Sequence, residues 1–317
     1  RRTVRLIKQW MEIEKMRRND IYLDMSMDAA IELINISRSL SSKPGSLTVL
    51  FRTLGGYIMA ANDLAKAERS PIIRKEHMQK AYEKHVPMEL QEVKRELERF
   101  DPYKSIYRKG YVIGSVNGLA VSIPPTAEAL GIGNVVPVEV ALVRKPHTYE
   151  PRIYLPEKFE KIAKDSAYNA LTIFKAIVGE DAYNFDYKVN FVQSYSEIDG
   201  DSATIAMLAA MLSSYAEVPI DQSIAVTGSL RLNGEVLAVG GIRAKIEAAK
   251  REGLKKVIIP YSNKNDANVE GIEVLYGKKL SDYLIKHGLL KFDDRNPRHK
   301  ELKYKILKFE ERILYAE

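Results

Sequence analysis

The chain has no cysteine among its 317 residues, so disulfide pairing and thiolate chemistry are excluded at once. It has only five histidines, and His77, His85, His147, His287 and His299 stand too far apart in sequence to show metal-ligand spacing. No metal site is expected. No apolar run approaches the roughly 18–20 residues of a membrane-spanning helix, and no secretory leader opens the chain, so no integral membrane segment is expected within it. The chain opens on Arg1-Arg2 rather than methionine, which leads us to expect a piece of a longer polypeptide. A Walker A loop, G-x-x-x-x-G-K-[ST], is also missing, so the chain cannot bind nucleotide by a motif of that kind of its own.

What is there is 45% apolar and 29% charged, with a formal net charge of +7, the profile of a soluble globular protein. The basic residues are mostly interleaved with glutamates, as in "AKAERS" and "EVKRELERF". Such alternation marks solvated helix faces rather than a phosphate-binding stripe, so any DNA contact is expected to be non-specific.

The length accommodates two domains. Residues 1–100 read as a helical bundle: Met27, Ala30, Ile31 and Ile34 recur at helical spacing, "SSKPGS" breaks the pattern, a second helix follows from about Leu50 to Arg69, and "SPIIRKEHMQKAYE" puts Ser-Pro at a third helix start. Residues 101–110 read as a linker. From Tyr111 to residue 296 the chain alternates β-rich runs ("YVIGSVNGLAVSI", "VVPVEVALV", "YKVNFVQSY", "KKVIIP") with helical stretches at Lys158–Val178, after Ser202, and in "IRAKIEAAKREG", giving an α+β or mixed α/β domain. Within it "SLRLNGEVLAV" predicts a hairpin with a type I′ turn at Asn233-Gly234. Residues 297–317 predict a C-terminal helix with Leu302, Ile306, Phe309 and Ile313 on one stripe.

Candidate chemistry concentrates in "EIDGDSATIAMLAAML", Glu197 to Leu212. A calcium loop starting at Asp199 would need glycine at its sixth position, where Thr204 stands. "GIGN" at Gly131–Asn134 precedes a strand-like run and lacks the helix N-terminus that would hold a pyrophosphate. Ser202 admits two readings on the residues alone: a helix cap, or a nucleophile whose helix start supplies oxyanion donors. A nucleophile requires a base, and no histidine is placed to serve. Lys245, in "GGIRAKIEAA", is the candidate; apolar neighbours would have to lower its pKa from about 10.4 to about 7–8. Its alternative is an ordinary solvated lysine.

"FVQSYSEIDGDSATIAML" followed by "AVTGSLRLNGEVLAVGGIRAKIEAAKREGLKKVIIPYSNKNDA" resembles the proteolytic domain of the ATP-dependent Lon proteases (S16), in the archaeal or B-type form with "DGDSA". The resemblance covers about Gly110 to Leu290 and implies Ser202 as nucleophile, Lys245 as base, and Thr227 of the T-G motif as the hydroxyl that positions the amine. "LTVLFRTLGGYIMAANDLAKAERSPIIRKEHMQKA" is similar to the small lid subdomain of AAA+ ATPases, with Arg52 at the sensor-2 position that contacts nucleotide phosphate. The fold class implied is thus an AAA+ lid bundle followed by an α+β Lon-type proteolytic domain. The implied cofactor is ATP with Mg2+, held through an ATPase subdomain absent from this chain. The implied partners are unfolded protein substrates and further copies in a homo-oligomer, a hexamer in the family. The implied location is cytoplasmic, with membrane anchoring only through segments absent here. Ser229, Thr204 and Glu197 depart from the family pattern, where glutamate, glycine or serine, and glycine are usual.

The mechanism expected is an acyl-enzyme on Ser202, with backbone N–H groups of Ser202 and Asp201 as oxyanion donors. The resemblance implies that Asp199, three residues before the nucleophile, takes part in the site, and two roles are open for it: orienting Lys245, or, the one favoured, a lock that keeps the amine charged until the hexamer assembles. The rival reading is a non-enzymatic assembly or DNA-binding module in which Ser202 merely caps.

Overall fold

The computed structural model describes residues 23–40, 46–48, 50–84, 105–122, 131–146, 150–192 and 200–311, with residues 5, 9, 11, 12, 91, 94, 95, 98 and 99 besides. The chain divides into two compact units, residues 1–95 with 123–131, and residues 96–122 with 132–317.

The first unit runs β1 (Asp24–Met25), α1 (Met27–Ser39), α2 (Phe51–Ala67), β2 (Ile72–Ile73) and α3 (Lys75–Lys84). Ser26 starts α1 by accepting the Ala29 N–H at 3.2 Å. The buried face of α1 is Ala29, Ala30, Leu33 and Ile36, whereas Met27 is 68% and Ile31 49% exposed. Of the predicted stripe, Met27 and Ile31 therefore face outward, Ile34 is half-buried and Ala30 turns inward with Ala29, Leu33 and Ile36. Ser70-Pro71 does not open a helix either. Ile72 and Ile73 pair in parallel with Asp24 and Met25, and α3 begins only at Lys75. His77 Nδ1 accepts the Arg74 N–H at 2.9 Å, reaching back over the helix start as the third residue of a capping box does.

The second unit contains β3 (Tyr111–Val112), β4 (Ser115–Ser122), β5 (Ile132–Arg144), β6 (Ile153–Tyr154), α4 (Lys161–Val178), β7 (Phe185–Phe191), α5 (Thr204–Ala216), β8 (Ile220–Asp221), β9 (Ile224–Val226), β10 (Ser229–Leu230), β11 (Val236–Leu237), α6 (Ile242–Arg251), β12 (Lys256–Pro260), β13 (Glu273–Gly277) and α7 (Pro297–Glu310). Seven strands form one mixed sheet in the order β13-β12-β9-β4-β5-β7-β6, parallel from β13 to β4, antiparallel across β4, β5 and β7, and parallel again at β6. Alternation along the strands feeds two cores. Val116, Val138, Val226 and Ile258 pack with α4, α5 and α7 on one face; Leu119, Val135, Val257 and Ile259 pack with α6 on the other. The β5–β7 ladder begins at Val138↔Phe191, and next to it Val192 N–H donates to the Pro137 carbonyl at 2.9 Å. Proline has no N–H to return that bond.

The hairpin β10–β11 forms, but its turn differs from the expectation. Gly234 has φ +94° while Asn233 is not among the positive-φ residues. Gly234 N–H donates to the Arg231 carbonyl at 2.8 Å and Arg231 N–H to the Glu235 carbonyl at 3.0 Å, a three-residue loop with glycine in the left-handed position. In α7, Asn296 caps the start and Pro297 opens the helix; Leu302, Ile306 and Phe309 are buried, and Ile313 lies outside the described residues. Among the described residues no helix is long and apolar enough to cross a membrane.

Candidate active site

The helix α5 is buried on every side from Thr204 to Ser213, which fixes its first turn firmly in the core. Its N-cap is Ala203, with no side-chain capping bond. Ser202 therefore does not cap the helix through its hydroxyl. The orphan donor at the helix start is met otherwise: Thr204 N–H and Thr204 Oγ1 both donate to the Asp201 carbonyl, at 3.1 and 2.6 Å.

The end of β9 is stitched to this turn. Gly228 N–H donates to the Ser202 carbonyl at 3.0 Å, Thr227 Oγ1 donates to the same carbonyl at 3.2 Å, and Ile205 N–H donates to the Gly228 carbonyl at 3.3 Å. Thr227 itself stays in the sheet, its N–H donating to the Ile258 carbonyl at 3.2 Å. Its own carbonyl accepts from the Tyr283 hydroxyl at 3.2 Å.

Lys245 approaches from the opposite core. Gly241 caps α6 with φ +68°, and a Cβ there would lie 2.5 Å from Val121 Cγ2, so the second glycine of "VGGIRAK" serves strand-to-helix contact rather than phosphate binding. Gly133 of β5 makes the same allowance one turn on: a Cβ would stand 1.9 Å from the Ala244 carbonyl oxygen. Pressed against the sheet in this way, Lys245 is only 3% exposed, and its Nζ donates to Thr227 Oγ1 at 3.1 Å. Burial lowers the Lys245 pKa to about 7, against a smaller upward pull from the charge of Asp201. A neutral amine can donate one N–H to Thr227 and keep its lone pair for a proton. Lys245 is thus not the ordinary solvated helix lysine.

Of the residues singled out in the sequence, Ser202, Thr227 and Lys245 are brought into one hydrogen-bonded chain, with Asp201 within electrostatic reach of the amine. Asp199 lies outside the described residues. Arg52 belongs to the other unit, exposed on the first turn of α2. Gly133 and Tyr283 join the site without a motif of their own: "GIGN" resembles only a phosphate loop, and "LSDYLIK" carries no signal of its contact with Thr227.

The model of the Lon protease (S16) C-terminal proteolytic domain matches residues 94–284, a stretch that holds the whole Ser202–Thr227–Lys245 chain. The chain belongs to the Lon protease (S16) family. Curated relatives called archaeal Lon protease agree. The protein of Archaeoglobus fulgidus is 39% identical over 261 residues, 81% of this chain and 41% of its own length. That of Thermoplasma acidophilum is 35% identical over 289 residues, 90% of this chain and 43% of its own. That of Pyrococcus abyssi is 36% identical over 262 residues, 81% of this chain and 26% of its own. The chain therefore spans less than half the length of these Lon relatives, and the similarity reaches beyond the proteolytic domain into the first unit.

Proposed function

We propose that the chain is a serine endopeptidase working through a Ser202–Lys245 dyad. Neutral Lys245 takes the proton of Ser202 Oγ as that oxygen bonds to the scissile carbonyl carbon. Backbone N–H groups of Ser202 and Asp201 hold the oxyanion. The C–N bond then breaks as the Lys245 ammonium gives its proton to the leaving amine; Lys245, neutral again, takes a proton from water as the water oxygen attacks the ester carbon, and passes it to Ser202 Oγ as the acyl–oxygen bond breaks. Thr227 aims the amine. The observation that carries this reading is a buried lysine with a pKa near 7, hydrogen-bonded to a threonine whose hydroxyl also holds the serine carbonyl.

In the whole protein we infer coupling to an AAA+ ATPase module, with residues 1–100 as its lid, 101–110 as linker, 111–296 as the proteolytic domain and 297–317 as its C-terminal helix. ATP with Mg2+ would supply the work of unfolding. The exposed guanidinium of Arg52 has the chemistry to meet a phosphate, but the chain carries no Walker A loop, so the main nucleotide contacts belong elsewhere. Unfolded proteins are the substrates, taken as extended chain; copies assemble as a hexamer in the cytoplasm; DNA contact is non-specific, and membrane anchoring would come from segments outside this chain. Asp199 is assigned the part of a lock on the charge of Lys245, so Asp199→Ala should move the pH optimum downward.

The test is labelling with a fluorophosphonate probe and casein cleavage by the assembled protein. Ser202 should be labelled in the parent, and both Ser202→Ala and Lys245→Ala should lose cleavage. Cleavage intact in Lys245→Ala would reject the dyad, and an unlabelled Ser202 with no casein cleavage by the assembled parent would favour the assembly-module reading.

A further inference from the structure

We propose that Tyr283 is a positioning residue for this dyad, holding the Thr227–Gly228 peptide, whose N–H meets the Ser202 carbonyl beside the threonine side chain that meets Lys245; this rests on the dyad reading above. Tyr283 sits in a π-helical turn, Asp282–Lys286, closed by the His287 N–H donating to the Asp282 carbonyl at 2.9 Å. Such widened turns re-aim side chains and recur at functional sites. Here the ring is fully buried and its hydroxyl donates to the Thr227 carbonyl at 3.2 Å.

Thr227 follows the last residue of β9, so its carbonyl has left the named strand pairing and the phenol stands where a strand partner would. The fit has been cleared on two sides. A Cβ at Gly277 would lie 2.2 Å from the Tyr283 ring, and a Cβ at Gly228 would lie 3.2 Å from its hydroxyl and 2.5 Å from Ile205 Cδ1. Glycine at Gly277 lets the ring slide under the peptide, while at Gly228 the closest crowding is by Ile205. The same peptide unit joins the Thr227 carbonyl to the Gly228 N–H, and that N–H donates to the Ser202 carbonyl. Peptide planarity makes these two groups turn together. Rotation of the peptide would therefore break the Gly228 bond to the Ser202 carbonyl, the same carbonyl that the Thr227 hydroxyl holds. Tyr283 remains a hydroxyl donor throughout the working pH range, because burial pushes its pKa well above the ordinary value.

Tyr283→Phe keeps the ring and removes only the bond. The control is Tyr187→Phe, which removes a like bond, the Tyr187 hydroxyl donating to the Ala182 carbonyl at 2.7 Å, from a buried tyrosine three strands away from β9. In the full chain, Tyr283→Phe should lower kcat on a fluorogenic peptide by about ten- to a hundredfold with KM within about twofold, as expected when reacting groups lose alignment. Amide hydrogen exchange at Gly228 should speed up about tenfold. Tyr187→Phe should change neither, at a comparable loss of Tm. Equal kcat values for Tyr283→Phe and the parent, or unchanged exchange at Gly228, would overturn the inference. Ser202→Ala, run alongside, judges the dyad separately: if it retains full activity the dyad reading fails, while Gly228 exchange still decides whether Tyr283 holds the peptide.

Discussion

Lys245 Nζ and Thr227 Oγ1 lie 3.1 Å apart across the sheet, joining a helix on one face to the end of a strand whose neighbours support the helix on the other. This single bond links two halves of the site that are otherwise built separately. α6 brings the amine out of water, and the β9 end carries the hydroxyl that also meets the Ser202 carbonyl. Burial then lowers the pKa of the amine to about 7, because the charged form loses its hydration in an apolar setting.

Removing the Thr227 hydroxyl should therefore cost activity without abolishing the nucleophile. Thr227→Val keeps the shape and should lower kcat by about ten- to a hundredfold through misalignment of the base. Thr227→Ser should restore most of it. Steady-state peptide hydrolysis of the three forms checks this.

Asp201 pulls the Lys245 pKa upward, so neutralising it should let burial act alone. Asp201→Asn is expected to move the acid limb of the kcat/KM profile to lower pH, since the amine then loses its proton more readily. A pH–rate series on peptide substrate reads the direction. The Asp201 side chain is exposed, which keeps the effect modest through solvent screening.

A buried lysine also weighs on stability. In the unfolded chain Lys245 holds its proton up to the ordinary value of 10.5, whereas in the folded chain it releases it above about 7. The native state is thus penalised progressively as pH falls from about 10 to 7, and the penalty is constant below that. Lys245→Met removes it. The variant should gain Tm relative to the parent as pH falls through this window and level off below 7, with an upper bound of about 4–5 kcal/mol. Thermal unfolding at several pH values would show it.

Gly133→Ala tests how α6 is held. A Cβ 1.9 Å from a backbone oxygen cannot be accommodated by a flexible side chain, so strand or helix must shift. We expect a loss of at least about 1–3 kcal/mol in denaturant unfolding, with a fall in kcat because the residue next to Ala244 is Lys245.

Much of the site could be read from the sequence because its parts are local. The Gly200–Asp201–Ser202 turn before an apolar helix, the T-G pair after a β-rich run, and the lysine after two glycines each sit in a short quotable motif. What escaped depends on contacts between distant segments. Tyr283 meets Thr227 through a main-chain carbonyl, a group every residue has, across a separation of 56 positions. Gly133 is needed because a helix more than a hundred residues later lies against it. The inward face of α1 is ambiguous for another reason: Met27–Ala30–Ile31–Ile34 and Ala29–Ala30–Leu33–Ile36 both satisfy a helical period and share Ala30, and only packing decides between them. The β1–β2 pair is two residues long on each side, too short for any alternation to register.

The most direct measurement is the titration of Lys245 itself, followed by the chemical shift of its Cε in lysine-labelled protein and assigned with Lys245→Met. The expected midpoint is about 7, far from the 10.5 of a solvated lysine. A midpoint near 10.5 would contradict it: the amine would be charged at neutral pH, and Ser202 would have no base.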